Sequence, residues 1–373
     1  MRTSSFTTPR SGPWRAALLA LLVAAGTAQA APRYRVLDLG LLKDFHSSSN
    51  ALDINNRGEI VGWSLDGVPD GELVGFLWRN GTMQALKAPE YGNSIANSIN
   101  DRGQAAFTAL ERDDSMPPTP YVYDSAGGRL QRIPTPSGLG GTAIAINDAG
   151  QVVGLDANGG PALVYLYDGG TSRLIPPDNP FSSAEDLNDA GAVVGRANTG
   201  QPYRYRDGTL TLLSERRGLG LAVNDRGQVV GELDATGTQP GELFLYSDDR
   251  LLLLDTGGRG ATPTDINERG WVVGTLQDDS GGAGRLPFVY RDGALQDLNT
   301  LLTPEADAAW TLFEANAIND RGWIVGMGER VGGADNNAFL AIPVPEPGTV
   351  ALMLAGLGVV GAAARARAHS TAP

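Results

Sequence analysis

The chain contains no cysteine in 373 residues and only two histidines, one of them four residues from its end. Without cysteine there can be no disulfide, no thiolate metal site and no Cys-His nucleophile pair. His46 is the sole histidine outside the terminal segments, which excludes a His-rich metal centre. A Ser-His-Asp triad would have to be built on it, outside any nucleophile elbow. Charged residues make up only 19% of the chain and form no long run. They are also lopsided, at 29 basic against 42 acidic. Setting aside three leader arginines, and one Glu and two Arg of the tail, leaves 24 against 41, a net charge of −17. Such a surface repels phosphate backbones, so nucleic acid is not a partner, and its plain consequence is solubility. No phosphate loop is present, and no cofactor is expected.

Glycine and proline, by contrast, are plentiful, at 50 and 23 residues, and 42% of the chain is hydrophobic. This is a turn-rich globular composition rather than a disordered one. Residues 1–30 carry Arg2, Arg10 and Arg15, an apolar run from Ala16 to Ala25, and then Ala28-Gln29-Ala30. These are the three parts of a secretory signal peptide with a small-x-small cleavage site at Ala28 and Ala30. The run is well short of the ~20 residues that cross a bilayer. Signal peptidase is therefore an expected partner, and the body of the protein is exported.

One phrase recurs seven times: an aliphatic residue, Asn, two polar or small residues, Gly, then usually a run like Val-Val-Gly. Its Asn and Gly are Asn55 and Gly58, Asn100 and Gly103, Asn147 and Gly150, Asn188 and Gly191, Asn224 and Gly227, Asn267 and Gly270, and Asn319 and Gly322. Successive asparagines lie 45, 47, 41, 36, 43 and 52 residues apart. That spacing suits one four-stranded propeller blade per repeat and is too long for a solenoid rung. The expected fold is all-β: a closed seven-bladed β-propeller of four-stranded antiparallel blades, spanning residues 31–343.

In the first repeat, strand A is read at Ala51–Asn55, B at Glu59–Ser64, C at Gly75–Arg79 and D at Thr82–Lys87. Asn-x-x-Gly forms the A–B hairpin, with Asn in an Asx-turn and Gly at positive φ. Asn80-Gly81, Asp207-Gly208 and Asp292-Gly293 mark C–D hairpins. Strand C carries paired aromatics two residues apart, such as Phe76 and Trp78 or Tyr203 and Tyr205, which share one face of the sheet and pack blade against blade. The seventh repeat ends after strand C, at Pro343, without a strand D. Tyr34–Leu42 resembles the sixth repeat's Ala294–Leu302 and supplies the missing strand, hiding two sheet edges at once.

The repeats resemble the exported bacterial HAF-repeat proteins, whose unit runs Ile-Asn-x-x-Gly-x-Val-Val-Gly and then His-Ala-Phe-Leu-Trp. Gly75-Phe76-Leu77-Trp78 and Asn337-Ala338-Phe339-Leu340 fit the second half of that unit, but its His is missing from every repeat. The resemblance spans residues 34 to 342 and implies a propeller-like surface protein with no catalytic residue. Residues 344–373 resemble the PEP-CTERM sorting signal: Pro345-Glu346-Pro347, the apolar stretch Val350–Ala364, and the basic end Arg365 and Arg367. That resemblance implies recognition by an exosortase-type enzyme in the inner membrane of a Gram-negative-type bacterium. The two arginines favour the cytoplasmic side, so the tail is expected to anchor transiently before cleavage near Pro-Glu-Pro.

Candidate chemistry is thin. Asp53-Ile-Asn55, Asp186-Leu-Asn188 and Asp265-Ile-Asn267 faintly suggest a calcium loop, but Arg57, Ala190 and Arg269 stand where its next carboxylate belongs. No metal site or catalytic residue is therefore assigned. The expected function is a non-catalytic binding or scaffolding propeller of the envelope or extracellular polysaccharide matrix, with polysaccharide or envelope protein as partner. The alternative is a glycoside hydrolase or polysaccharide lyase using acidic or Tyr residues, and a facing pair of buried carboxylates at a channel mouth would favour it. Any ligand is expected on the face of the variable B–C loops.

Overall fold

The computed structural model describes residues 33–42, 48–65, 71–111, 116–160, 163–176, 181–236, 241–277, 285–333 and 335–344. The leader with Ala28 and Ala30, His46, and the sorting tail with Pro345, Glu346, Pro347, Arg365 and Arg367 lie outside these residues. So do parts of several B–C loops.

Seven four-stranded antiparallel sheets account for the described chain. Six are meanders of consecutive strands. The first blade is Ser48–Ile54, Ile60–Leu65, Leu73–Arg79 and Thr82–Leu86, in that order across the sheet, from A to D. The seventh is Trp310–Ile318, Ile324–Arg330 and Asn336–Val344, with Arg33–Gly40 added at its edge. There Arg33 stands opposite Val344, and the ladder runs antiparallel to Gly40 opposite Ala338. The protein is thus a seven-bladed β-propeller, and its N-terminal strand lies beside its C-terminal one.

Local chemistry accounts for the turns. All seven glycines of the repeated phrase have positive φ, from +73° at Gly191 to +81° at Gly58 and Gly150. At the C–D hairpins Asn80 and Gly81 both have positive φ, as do Asp207 with Gly208 and Asp292 with Gly293, which is the mirror-image turn matching strand twist. The glycine that closes Val-Val-Gly has a separate reason. In six blades strand A carries a bulge just before the repeated Asn, with register shifts such as Ala51/Asp53 and Ala315/Ala317. The bulged strand presses on strand B, and a Cβ at Gly326 would lie 1.9 Å from the Glu314 carbonyl oxygen. Glycine spares strand A that clash in six of the seven blades; in the second, Phe107 stands at this position beside the same kind of bulge.

Between blades, the first aromatic of each strand C pair is buried: Phe76, Tyr121, Tyr165, Tyr203, Phe244 and Phe288, with Phe339 in the seventh blade. They sit in clusters that bridge neighbouring sheets. One joins Ala51, Ile60 and Phe76 of the first blade to Ala317, Val325 and Leu340 of the seventh. The seventh sheet therefore packs on the first just as internal neighbours pack on each other. In the fourth blade, where strand A is reduced to Asp186–Leu187, Phe181 is buried and stacks on Tyr203 at 4.0 Å between ring centroids.

One stretch departs from the sequence reading. The likeness of Ala294–Leu302 to the N-terminal strand ends at Asp297: the strand is Ala294–Asp297, followed by a 3-10 turn over Leu298–Leu301 and a short helix, Pro304–Asp307. Asp297 accepts a hydrogen bond from Asn299 N–H at 2.9 Å, and Thr303 caps the helix with Pro304 at its first position. These local side-chain bonds compete with strand continuation and win.

An acidic channel mouth as the candidate functional site

The repeated asparagine does more than close its own hairpin. In the first blade Asn55 Oδ1 accepts from Arg57 N–H at 3.0 Å and Glu59 N–H at 2.9 Å, the Asx-turn that the sequence leads one to expect. Its Nδ2 points the other way and donates to the Asn100 carbonyl of the next blade at 2.9 Å. The pattern repeats from Asn100 to Asn147, Asn147 to Asn188, Asn188 to Asn224, Asn224 to Asn267 and Asn267 to Asn319, at 2.8 to 3.1 Å. Asn319 Nδ2 then donates to the Asn55 carbonyl at 3.1 Å, and the circuit is complete. All seven asparagines are buried.

A second circuit runs through the next residue of each phrase. The amide of Asn56 donates to Asp101 Oδ1, that of Asp101 to Asp148, Asp148 to Asp189, Asp189 to Asp225, Asp225 to Glu268, Glu268 to Asp320, and Asp320 back to Asn56 Oδ1. Distances are 2.6 to 2.9 Å. Six carboxylates and one amide therefore encircle the A–B turn end of the central channel. Asn56 Nδ2 bridges Asp101 Oδ2 at 3.0 Å and Asp320 Oδ2 at 2.9 Å, so the one neutral member neutralises part of the repulsion on either side.

A third tier lies one step deeper, two residues before the repeated Asn. Asp53, Asp186 and Asp265 each accept their own following amide with Oδ1 at 2.7 Å. With Oδ2 they accept an amide of the next blade: Ile99, Val223 and Ile318 at 2.7 to 2.8 Å. Ser98 does the same more weakly, taking the Ile146 amide at 3.3 Å. Alanine stands at the equivalent positions 145, 222 and 317 and can accept nothing. The Asp-x-Asn phrases thus mark junctions where the strand A backbone is stapled across blades. Their side chains were legible only as a weak calcium-loop likeness, because a bond to a residue some 40 positions away leaves no local signature.

Together the tiers line a cavity of about 200 Å³. Its electrostatics follow from crowding like charges away from water. Burial pushes Asp186 up to about 7, two backbone amides opposing and the charges of Asp53 and Asp225 adding to the rise. Burial raises Asp265 well above the usual carboxylate range and raises Asp53 as well. In the outer circuit Asp148, Asp189 and Asp225 are also raised, first by burial and then by one another. Among the described residues no group of three or more His, Asp or Glu is arranged to hold a metal ion. The strand ends from which the variable B–C loops leave, where a ligand is expected from sequence, lie at the opposite end of the blades from the A–B turns.

Residues 343–368 match the PEP-CTERM protein-sorting motif, which begins where the last strand of the propeller ends. That signal marks export and is the motif recognised by exosortase. No curated protein matches the chain. Among solved structures, the β-propeller domain of the Trilobed protease from Pyrococcus furiosus is similar at a TM-score of 0.58 and 13% identity, covering 80% of this chain and 98% of that one. YCF48 from Cyanidioschyzon merolae is similar at 0.53 and 12%, covering 84% and 99%. The acylaminoacyl peptidase of Pyrococcus horikoshii is similar at 0.55 and 10%, covering 83% of this chain but 54% of that one. At these identities the likeness is one of fold. Among the described residues no helix is long and apolar enough to cross a membrane.

Proposed function

We propose that this protein is a non-catalytic binding or scaffolding propeller of the HAF-repeat kind. It is delivered to the envelope or the extracellular polysaccharide matrix and separated from its tail by an exosortase-type enzyme. The observation that carries the reading is the sorting motif at residues 343–368, placed directly after a propeller whose last strand ends at Val344. The polar groups of the channel support the absence of catalysis. Each third-tier aspartate has both carboxylate oxygens held by backbone amides, and each second-tier carboxylate has one. Oxygens held this way serve the joints between blades and are poorly placed to move a proton to a substrate.

Purified protein on a glycan array, with a parallel turnover screen on the glycans retained, is the direct test. Binding without product formation is expected, and reducing-end or unsaturated-sugar release would overturn it. One observation favours the carbohydrate-active alternative: Asp53, Asp186 and Asp265 are carboxylates facing one channel with raised pKa values. Under that reading Asp186→Ser abolishes turnover; under the reading proposed here, glycan binding survives the same change.

A further inference from the structure

The last residue of strand C differs in burial from blade to blade. Arg79, Asp124, Asp168, Arg206 and Ser247 occupy it in the first five and all keep contact with solvent. In the sixth blade the residue is Arg291, and it is buried, at 3% exposure. The difference lies in the neighbour. The seventh blade is completed by the N-terminal strand, whose Tyr34 is fully buried and bridges in parallel to Leu302, with Thr303 N–H donating to the Tyr34 carbonyl at 2.9 Å. Arg33 adds a bond from Nη1 to the Leu302 carbonyl at 2.8 Å.

The guanidinium beneath this seam is poorly satisfied. Its Nε reaches Gln296 Oε1 at 3.3 Å, and its plane lies over Trp271, 5.3 Å from the ring centroid. Nη1 and Nη2 meet no acceptor in hydrogen-bond geometry and the Tyr34 hydroxyl has no such partner either, although hydroxyl and guanidinium lie near enough to interact electrostatically. Among the described residues no carboxylate pairs with Arg291. Arg269 approaches the same Trp271 ring at 5.4 Å, so a second positive charge is close by. Arginine cannot shed its proton to escape burial, unlike lysine or histidine. Nor can Tyr34 supply the counter-charge as phenolate, because burial raises its pKa and the nearby arginines oppose that only in part. Among the described residues the guanidinium has no countercharge, only the Gln296 oxygen and the Trp271 face.

We propose that Arg291 and Tyr34 form a buried site for a small monovalent anion of the halide class, which locks the N-terminal strand onto the seventh blade. Three buried donors without an acceptor lie at this seam, the two Nη and the Tyr34 hydroxyl. That set suits a monatomic ion, whereas phosphate would bring more oxygens, and more charge, than the site can satisfy. The aromatic face of Trp271 takes the other side of the cation and leaves the donors free. A halide site is notable on a chain of net charge −13, whose overall field repels anions.

Thermal unfolding of the full-length chain in sodium chloride or bromide, against sodium gluconate at equal ionic strength, tests this. The site predicts a midpoint that climbs by several degrees with the logarithm of halide concentration, and a chloride-35 NMR line broadened by the protein and narrowed again by added bromide. Arg291→Met should abolish both effects, and Tyr34→Phe, which keeps the guanidinium and the packing, should weaken both. A wild-type midpoint and linewidth indifferent to halide overturn the proposal. So does a halide response that survives undiminished in Arg291→Met or, should that variant not fold, in Tyr34→Phe.

Discussion

Each repeated asparagine uses both ends of one amide, the oxygen to shape its own turn and the nitrogen to hold the next blade. That dual use explains why neither Asp nor Ser replaces it anywhere in the seven copies: Asp lacks the donor, and Ser is too short to reach both partners. Asn188→Ala should leave the Ala192 amide without a partner and strip the Asn224 carbonyl of its bond across the blades, leaving it the Gly227 amide alone. The expected cost is roughly 1–3 kcal/mol, read as a lower urea midpoint at unchanged slope. Asn188→Asp should cost more, since a carboxylate would then face the Asn224 carbonyl. Wild-type midpoints for both variants would show the ring to be incidental. Gly326→Ala tests the neighbouring constraint, because its Cβ would lie 1.9 Å from the Glu314 carbonyl oxygen. Strand A of the seventh blade must then shift, and a loss of at least ~2 kcal/mol is expected.

At the scale of strands, the N-terminal segment Arg33–Gly40 leaves the long edge of Asn336–Val344 bare if it is removed. Deleting residues 31–41 should therefore produce a protein that aggregates or melts far below the wild type, since an open strand edge seeks another partner. Unchanged thermal stability and a monomeric elution profile would count against closure by this strand. The existence of the seam was legible in the sequence, because a seventh repeat without strand D and an orphan strand before the first repeat are complementary omissions. The hairpins were legible for a similar reason: Asn80-Gly81 and the Asn-x-x-Gly phrases fix their turns within four residues. What could not be read was everything that spans blades. Asp53 bonds the Ile99 amide across 46 positions, and Arg291 is buried only because Tyr34, far away in sequence, comes to cover it. The 3-10 turn at Leu298–Leu301 was missed for a different cause, since the apolar pattern of Leu298, Leu301 and Leu302 serves a strand or a 3-10 turn equally well until Asp297 caps it.

For the molecule as a whole, the channel makes stability depend on pH in the sense opposite to ordinary acid denaturation. Asp53, Asp186 and Asp265 have folded-state pKa values raised above the unfolded value of about 3.9, with Asp186 at about 7. Between those limits the folded protein holds more protons than the unfolded chain, so stability falls as pH rises from about 4 to about 7. Below about 4 the opposite contribution begins, because the Arg196 hydrogen bonds hold Asp234 below its usual value and that gain is lost on protonation. The optimum should therefore lie near pH 4–5. With the buried Asp186 carboxyl titrating at about 7 in the fold, the drop from pH 5 to pH 8 should be on the order of 2–3 kcal/mol. Ser98 already performs the same staple in the second blade with a neutral hydroxyl, which makes Asp186→Ser the informative variant. It should keep the fold, gain stability relative to wild type at pH 8, and show a flatter profile of melting temperature against pH. A variant profile that runs parallel to the wild type would locate the pH dependence elsewhere than in the deep tier of the channel.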